Sequence, residues 1–323
     1  MNVFPIWLFV PCALITGFFG AFFTPAISSI VPDIVKDKES LTKANSARGI
    51  SQTASQLLGT SLGGLAYSLL KGPVFFIING ISFIYSSLTE LFIKIPKKTS
   101  LVREKTHIIQ DMIQGLKFTW NQRGIRILLV TGMFINFFST MAVTLLTPLF
   151  KLTPEFGTER YGFAMGSLMI GTIFGMLILS SVAMPSNSRF AYYKGAVLIM
   201  IMCMICAGLT RSFAVIMVLA FVTGILNAVI SIITQTVLMI TVPEINRGKV
   251  FGIMGTVSEG LTPIAMAISG VVAEFLGVRA TIVGAFAMAA VAVMPSLFNK
   301  VFKAYMNSAD VVHVESNLHN KSA

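Results

Sequence analysis

Apolar segments long enough to cross a membrane recur along most of the chain, and no other feature constrains the fold as strongly. About 20 apolar residues with almost no charge predict a transmembrane helix, because they can cover the roughly 30 Å of a bilayer's hydrocarbon core. The composition agrees: 55% of the 323 residues are hydrophobic and 11% are charged, with a mean hydropathy of +0.82. Soluble domains carry about 25% charged residues. The sequence therefore predicts an all-α, polytopic membrane protein.

One long polar interval divides the predicted spans into three before it and six after it. That interval carries eight cations: Lys94, Lys97, Lys98, Arg103, Lys105, Lys117, Arg123 and Arg126. The nine transmembrane helices are predicted at 5–27, 50–70, 73–94, 127–149, 161–183, 194–210, 213–236, 250–272 and 279–298. The predicted organisation is a partial N-terminal bundle, a central cytoplasmic loop, a six-helix C-terminal bundle and a polar cytoplasmic tail, over 1–95, 96–126, 127–300 and 301–323.

The positions of lysine and arginine predict the orientation of the chain. Of the 24 cations, nineteen fall in the connections on the side of the long interval and the tail, and five in the alternate connections. Because Lys and Arg concentrate in cytoplasmic loops, the long loop and the C-terminus are predicted to be cytoplasmic, in a multi-pass protein of the plasma or inner cell membrane. The short outer turns 71–73 (KGP) and 210–212 (TRS) predict antiparallel neighbours. The net charge of +11 does not predict nucleic-acid binding, since the cations lie between spans.

The central loop contains a predicted amphipathic helix. Its apolar residues recur at helical spacing: Ile108, Ile109, Met112, Ile113, Leu116 and Trp120. The opposite face is polar: Gln110, Asp111, Gln114 and Lys117. Such a helix is expected to lie at the cytoplasmic surface of the membrane. A connector packed under the bundle explains it more simply than a regulatory site does.

Two segments about 210 residues apart share a pattern, which indicates an internal repeat of the kind that transporters show. Residues 16–21 (TGFFGA) lead to 31–34 (VPDI), and residues 223–228 (TGILNA) lead to 242–245 (VPEI). Spans one to three therefore resemble a parallel copy of spans seven to nine, and spans four to six have no counterpart. Two interpretations follow. The chain lacks the first three helices of a twelve-helix architecture, through an internal start at Met1 or a truncated gene, or it is a genuine nine-helix protein.

Three stretches carry a resemblance to a known family: 31–45, 111–128 and 146–175. They look like the cytoplasmic turn after the fourth helix, the central loop, and the seventh and eighth helices of the major facilitator superfamily, in its branch of macrolide-efflux and siderophore-export permeases. The resemblance implies a twelve-helix fold and transport by alternating access. Two departures concern gating. The signature loop between helices two and three would precede Met1, and its echo at 184–189 (MPSNSR) lacks the usual acidic and glycine pattern.

The second predicted span contains a motif similar to the family's antiporter motif G-P-x-x-G-G. It is formed by Gly59, Thr60, Gly63 and Gly64, with Thr60 where proline is usual. Gly59 and Gly63 are four residues apart and share one helix face with Ser55. That face either serves ordinary close packing of helices or helps to seal one side of an exporter's cavity.

Glu259 lies about nine residues inside the eighth predicted span. A carboxylate inside a membrane span is costly unless it faces protein or water, and such residues often relay protons. Glu259 is therefore the candidate for proton coupling. The alternative is a structural acid that forms hydrogen bonds near the cytoplasmic end of the helix.

Uncharged polar side chains within the spans are candidates for lining a substrate cavity. Transporters of this architecture bind their substrates near the midplane, between the two halves. The candidates are Gln52, Asn136, Asn227 and Gln235. Hydrogen bonding between helices is the alternative explanation for each of them.

The sequence contains no pattern of a nucleotide-binding or catalytic site. There is no G-x-x-x-x-G-K-[ST] loop, and Cys203 and Cys206 have no histidine within their span. We therefore expect no enzyme, no metal site and no cofactor. The sequence predicts a secondary active exporter of an amphipathic small molecule (a drug, macrolide or siderophore), with the proton as coupling ion. The alternatives are a non-transporting remnant of such a permease and, more remotely, a membrane-embedded enzyme.

Overall fold

The computed structural model describes residues 9–35, 38–92, 108–153, 156–181 and 184–308, with the backbone alone over stretches such as 60–73 and 108–112. Almost all of these residues are helical, as predicted. A helix satisfies the backbone hydrogen bonds within a single segment, as an apolar environment requires. The helices are α1 Phe9–Ile34, α2 Lys38–Glu90, α3 Ile108–Asn121, α4 Arg123–Leu152, α5 Gly157–Ser181, α6 Arg189–Leu209, α7 Phe213–Thr241, α8 Glu244–Gly260, α9 Thr262–Leu276, α10 Val278–Leu297 and α11 Lys300–Met306.

Six segments of the second half are long and apolar enough to cross a membrane. They are Arg123–Leu152, Arg160–Ser181, Ser186–Leu209, Phe213–Thr241, Asn246–Leu276 and Val278–Leu297. These segments correspond to the six spans predicted after the long polar interval. Within the described residues no further segment of this kind is found, so the prediction of nine transmembrane helices is not confirmed.

Helix α2 corrects one predicted turn. The sequence predicts two spans joined at 71–73, but the structure has a single helix, Lys38–Glu90, that runs through Pro73. Proline removes one backbone hydrogen bond and its ring crowds the carbonyl one turn earlier, but the apolar residues on both sides favour helix in a membrane. The side chains over 77–92 are exposed, so no tertiary contact there folds the chain back. At 1.5 Å per residue, the 53 residues of α2 extend about 80 Å.

A break divides the eighth predicted span, 250–272, into two helices. α8 ends at Gly260 and α9 begins at Thr262, with Leu261 between them. Pro263 accounts for this break, because it has no N–H to donate to the Glu259 carbonyl one turn earlier, and its ring crowds that carbonyl. The two helices still belong to one segment of 31 residues that can cross a membrane.

The main core lies among α4, α6, α7, α10 and α11. Its largest fully buried side chains include Tyr193, Phe286 and Phe302. The Phe302 ring meets the Phe190 and Tyr193 rings edge-on, with centroids 5.8 Å apart in both pairs. This arrangement is the preferred one for aromatic rings, and it fixes α11 against α6.

Helices α5 and α7 pack with their backbones in contact. A Cβ atom on Gly224 would collide with the Leu168 carbonyl oxygen, and one on Gly171 would collide with the Phe221 carbonyl oxygen. A Cβ on Gly175 would lie 2.9 Å from the Ala228 Cβ. Small residues four apart allow this approach between membrane helices. The sequence analysis also predicts such a contact on α2, at Gly59, Thr60, Gly63 and Gly64, and this stays a prediction.

The N-terminal helices contribute little to the core. On α1, Leu14, Phe18, Phe19 and Phe22 are each at least 60% exposed. The end of α1 and the start of α2 join a buried cluster, which is formed by Leu41, Met239 and Ile240 with Val31, Val35 and Phe251, and Ile50 of α2 packs against a second cluster. Among the side chains that the structure describes, the contacts of the first two helices with the bundle are therefore concentrated at one end.

Polar contacts mark the two ends of the bundle. The end that carries residues 108–123, 184–189, 242–249 and 299–308 is called the basic end below. There, Asn307 Nδ2 donates a hydrogen bond of 2.8 Å to the Asn187 carbonyl. At the opposite end, Arg279 Nη1 donates a hydrogen bond of 2.8 Å to the Thr210 carbonyl. The connections thus alternate between two ends, as the sequence predicts.

The amphipathic helix of the central loop is α3, Ile108–Asn121, and it packs through an unexpected face. Gly115 and Thr119 are buried, and a Cβ on Gly115 would lie 2.7 Å from the Lys249 Cβ of α8. Ile113, Leu116 and Trp120 are 53–59% exposed. The helix contacts the bundle through its small residues, because Gly115 leaves room for the Lys249 stem. These three residues of its apolar face point away from the bundle.

Candidate functional site

A polar cavity lies where α2 meets α5 and α7. Its volume is about 190 Å³. Most of its lining side chains are amides or hydroxyls, together with one guanidinium. The lining residues are Asn45, Arg48, Gly49, Gln52, Thr53, Gln56, Thr172, Met176, Asn227, Ser231, Ile232 and Gln235. Because polar groups are costly within an apolar bundle, this cavity is the main candidate for a functional site.

Helical spacing brings these residues to one place. On α2, Arg48, Gln52 and Gln56 are four residues apart, and on α7 the polar lining residues recur at 227, 231 and 235. Residues four apart lie on one helix face, so each helix presents a polar row. α5 adds Thr172 and Met176, and a Cβ on Gly49 would lie 2.6 Å from the Met176 sulfur. The missing side chain at position 49 thus allows α2 to approach α5 beside the cavity.

Asn45 forms the inner wall of the cavity and is only 2% exposed. Its Nδ2 donates to Thr236 Oγ1 at 3.2 Å and to the Met239 sulfur at 3.3 Å, both on α7. Its Oδ1 is buried and has no hydrogen-bond partner in the described part of the chain. A buried acceptor without a partner costs free energy, so the Asn45 oxygen would be stabilised by a donor that reaches it.

Arg48 supplies the charge of the cavity. Its Nη1 donates to Ser28 Oγ at 2.9 Å, which ties α2 to α1. Arg48 is the only charged residue among those that line the cavity in the described structure. A guanidinium has five N–H donors, so this one bond leaves donors for a second partner.

An ion pair joins the N-terminal helices to the bundle near the basic end. Arg247 Nη1 of α8 lies 3.2 Å from Asp33 Oδ1 of α1, and both side chains are 14% exposed. Arg247 Nε also donates to the Val242 carbonyl at 3.1 Å. The pair connects the two copies of the predicted repeat, since Asp33 follows Val31-Pro32 and Arg247 follows 242–245. It therefore lies across the boundary between the two parts of the chain.

Three of the four predicted cavity residues come together in the structure. Gln52, Asn227 and Gln235 line the cavity, whereas Asn136 lies on α4 and is not part of the lining. The Asn136 Oδ1 is buried and unpaired among the described residues. Sequence reasoning missed Asn45 and Arg48, because the second span was predicted to begin at residue 50. Their four-residue spacing with Gly49 and Gln52 was the signal that could have found them.

The other predicted residues lie away from the cavity. Glu259 is exposed on the last turn of α8, beside the break before α9. Gly59 on α2 is exposed, and a Cβ there would meet nothing within 4 Å. The surroundings of Thr60, Gly63 and Gly64 lie outside the described part of the structure. No cluster of three or more His, Cys, Asp or Glu residues that could hold a metal occurs among the described residues.

The fold and the cavity define a class of protein. Six segments that can cross a membrane, with a polar cavity between a helix of the first part and two helices of the second, form the arrangement of a membrane transporter. The profile of the Major Facilitator Superfamily matches residues 2–259. The chain belongs to this superfamily, and it is a multi-pass protein of the cell membrane.

Known relatives include efflux proteins. The chain is 22% identical over 284 residues to macrolide efflux protein A of Streptococcus pyogenes, a match that covers 85% of this chain and 68% of that protein. It is 25% identical over 278 residues to the multidrug efflux pump Tap of Mycolicibacterium fortuitum, with 81% and 65% covered. It is 21% identical over 307 residues to the uncharacterized MFS-type transporter YfmI of Bacillus subtilis, with 94% and 74% covered. The chain thus spans about two thirds to three quarters of the length of these relatives.

Proposed function

We propose that this protein is a secondary active exporter of amphipathic small molecules that works by alternating access. The observation that carries the proposal is the polar cavity between α2 on one side and α5 and α7 on the other. Superfamily membership supports transport of a small molecule, and the named functions of two relatives, macrolide efflux and multidrug efflux, support export. The alternative, a remnant that does not transport, is not favoured by these relationships.

The cavity is proposed to open and close by movement of α1 and α2 against the bundle. Besides the buried cluster around Leu41, the contacts across that boundary include Asp33 with Arg247, Asn45 with Thr236, and Gly49 with Met176. The first two are polar contacts near the basic end, and the third is a close approach that a flexible methionine can adjust. Such contacts can break and re-form at modest cost, as alternating access requires. We propose that the basic end faces the cytoplasm, on the strength of the Lys and Arg distribution.

The proton is the proposed coupling ion, and Glu259 is the proposed proton-handling group. Its carboxylate lies where α8 stops, beside the break that Pro263 imposes. Discontinuous helices in transporters commonly carry ion sites, because the interrupted backbone frees polar groups. Glu259 does not line the cavity, so proton transfer would act on the substrate through movement of α8 and α9 and not through direct contact.

Export is tested with the purified chain in proteoliposomes that carry an imposed proton gradient. The assay measures the uptake of small amphipathic probes of negative, zero and positive charge into inverted vesicles. Asn227→Leu and Gln235→Leu are expected to lower the rate about tenfold, as the loss of a hydrogen bond worth about 1.4 kcal/mol predicts. Asn136→Leu is the matched control, since it makes the same change on α4 outside the cavity, and it should transport at the original rate. An equal loss in all three variants, or no uptake by the original protein, would contradict the proposal.

Proton coupling is tested by Glu259→Gln. The variant is expected to lose gradient-driven transport and the dependence of the rate on pH, while it still binds substrate. Glu274→Gln is the matched control, because Glu274 is also an exposed acid and lies in the same membrane-crossing segment. If Glu259→Gln transports as fast as the original protein with an unchanged pH dependence, Glu259 is not the coupling group.

A further inference from the structure

We infer that the cavity between α2, α5 and α7 selects small organic anions that carry a hydroxyl or N–H group, in preference to cations. This inference deepens the proposed export function, since it names the class of substrate that the same site would take. It rests on the charge of the cavity, on one unpaired buried acceptor, and on the size of the cavity.

The charge of the lining favours an anion. Arg48 is the only charged residue that lines the cavity in the described structure, and the other polar lining side chains are neutral amides and hydroxyls. The nearby carboxylate of Asp33 is engaged by Arg247 at 3.2 Å. A cationic ligand would have to enter beside a guanidinium with no lining carboxylate to balance it, and like charges repel strongly where water is excluded. An anionic ligand would receive charge-assisted hydrogen bonds from Arg48.

The buried oxygen of Asn45 favours a ligand that also carries a hydrogen-bond donor. Asn45 is 2% exposed, its Nδ2 is committed to Thr236 and Met239, and its Oδ1 has no partner among the described residues. Asn45 and Arg48 both line the cavity and are three residues apart, on the same side of α2. A ligand with an acidic group for Arg48 and a hydroxyl or N–H group for Asn45 would satisfy both.

The volume of the cavity limits the size of the ligand that it can enclose. A volume of about 190 Å³ is below the roughly 300–1,000 Å³ of sites that enclose drug-sized ligands. The cavity as it stands therefore fits a ligand with a single ring, or the acidic end of a longer amphipathic molecule. The close approach of Met176 to Gly49 is the point where the cavity could widen.

The experiment uses three ligands that share a phenol ring and differ in charge. They are 4-hydroxybenzoate, an anion; 4-hydroxybenzamide, which is neutral; and 4-hydroxybenzylamine, a cation. Binding to the purified full chain, in micelles of an uncharged detergent near pH 7.5, is measured by isothermal titration calorimetry. The dissociation constant of the anion is expected to be at least tenfold lower than that of the cation, with the neutral ligand between them.

Variants assign the preference to the two residues. Arg48→Gln should raise the dissociation constant of 4-hydroxybenzoate to that of the neutral ligand. Arg48→Lys should keep part of the preference for the anion. Arg211→Gln removes an equal charge at the opposite end of the bundle and should change nothing. Asn45→Ala should abolish the advantage of 4-hydroxybenzoate over plain benzoate, because benzoate has no hydroxyl to offer. Elution profiles on size exclusion verify that each variant is folded.

The inference is overturned if the amine binds as tightly as the acid, if Arg48→Gln leaves the order of the three ligands unchanged, or if none of them binds. These outcomes are distinct from failure of the proposed function. Vesicles that export substrate, combined with no charge preference in binding, would refute the anion site and leave the exporter intact. A clear anion preference in binding, combined with no transport, would support the anion site and refute the exporter.

Discussion

The bundle α4–α11 and the pair α1–α2 differ in what covers their apolar side chains. In the bundle, aromatic and aliphatic side chains such as Phe286, Phe302 and Leu297 are at most 2% exposed, and the chain provides its own neighbours. In α1 and the distal half of α2, side chains of the same kind, such as Phe18 and Phe83, are about 60% exposed. Lipid tails are as apolar as leucine, so an exposed phenylalanine is stable in a membrane without a protein partner. Packing therefore specifies the bundle, and the membrane accommodates α1–α2.

This contrast explains where the cavity lies. A tightly packed bundle has little freedom to open, because its side chains interdigitate closely. A helix that is attached mainly at one end can move more easily. The cavity is found at the seam between the two regions, where α2 contacts α5 and α7. The same seam holds Asn45, Arg48 and the Asp33–Arg247 ion pair. Two predictions about stability test the contrast directly, and a third refines it at the basic end of the bundle.

The largest expected effect is that of a glycine substitution in the bundle. Gly224→Val would push a side chain into the backbone of α5 at Leu168, and overpacking of this kind costs about 3 kcal/mol. We expect a loss of roughly 6–12 °C in the melting temperature, measured by size-exclusion chromatography after heating in detergent. Gly80→Val on α2, where a Cβ would meet nothing within 4 Å, is the matched control and should leave the melting temperature unchanged. Equal losses would show that α2 is packed as closely as the bundle.

An effect of similar size is expected from removal of an aromatic ring. Phe286→Ala on α10 removes a side chain that is 2% exposed. It should destabilise the protein by about 3 kcal/mol through the cavity that it leaves. Phe18→Ala on α1 removes the same atoms from a side chain that is 60% exposed, and lipid can fill the space. The measurement is the free energy of unfolding from denaturant titration in mixed micelles. A larger loss for Phe18→Ala would reverse the contrast between the two regions.

The sequence predicts the bundle better than it predicts α1–α2, for a physical reason. The six later spans are bounded by charged or turn-forming residues, and their apolar length alone indicates where they lie in a membrane. Pro73 resembles such a boundary, but proline stops a helix only where another arrangement of the backbone is better, and residues 77–92 have no packing to offer one. Hydropathy also predicts that the second span starts at residue 50, which leaves Asn45 and Arg48 in the preceding loop.

The candidate site was predictable in part. Polar side chains in apolar spans singled out Gln52, Asn227 and Gln235, which the structure brings together. Asn136 has the same chemistry and the same kind of neighbours in the sequence, yet it lies outside the cavity. Sequence periodicity shows which residues share a face of one helix, but it does not show which helix that face meets. Only the crossing of α2 with α5 and α7 decides that.

The smallest effect is expected at Tyr305, where α11 closes the basic end of the bundle. Its hydroxyl donates to Thr241 Oγ1 at 2.7 Å, since the Thr241 hydroxyl donates in turn to the Val237 carbonyl at 2.8 Å. Burial raises the pKa of Tyr305 above its ordinary value, and the hydrogen bond with Thr241 acts weakly in the opposite direction. Tyr305→Phe should cost about 1 kcal/mol near pH 8 through the lost hydrogen bond. Tyr85→Phe on α2, where the side chain is 69% exposed, should cost nothing.

The contribution of Tyr305 to the free energy of unfolding is expected to fall as the pH rises. The folded protein keeps Tyr305 protonated, whereas the unfolded chain releases that proton above about pH 10. The stability that depends on the buried hydroxyl is therefore fully present below pH 10 and falls as the pH rises, by up to about 1.4 kcal/mol per pH unit. The gap in unfolding free energy between the original protein and Tyr305→Phe should narrow between pH 9 and pH 11. A gap that stays constant over this range would mean that Tyr305 ionises as readily in the folded protein as in the unfolded chain. In that case α11 would not seal the bundle, and the contrast between a closed core and the open helices α1–α2 would not extend to the basic end.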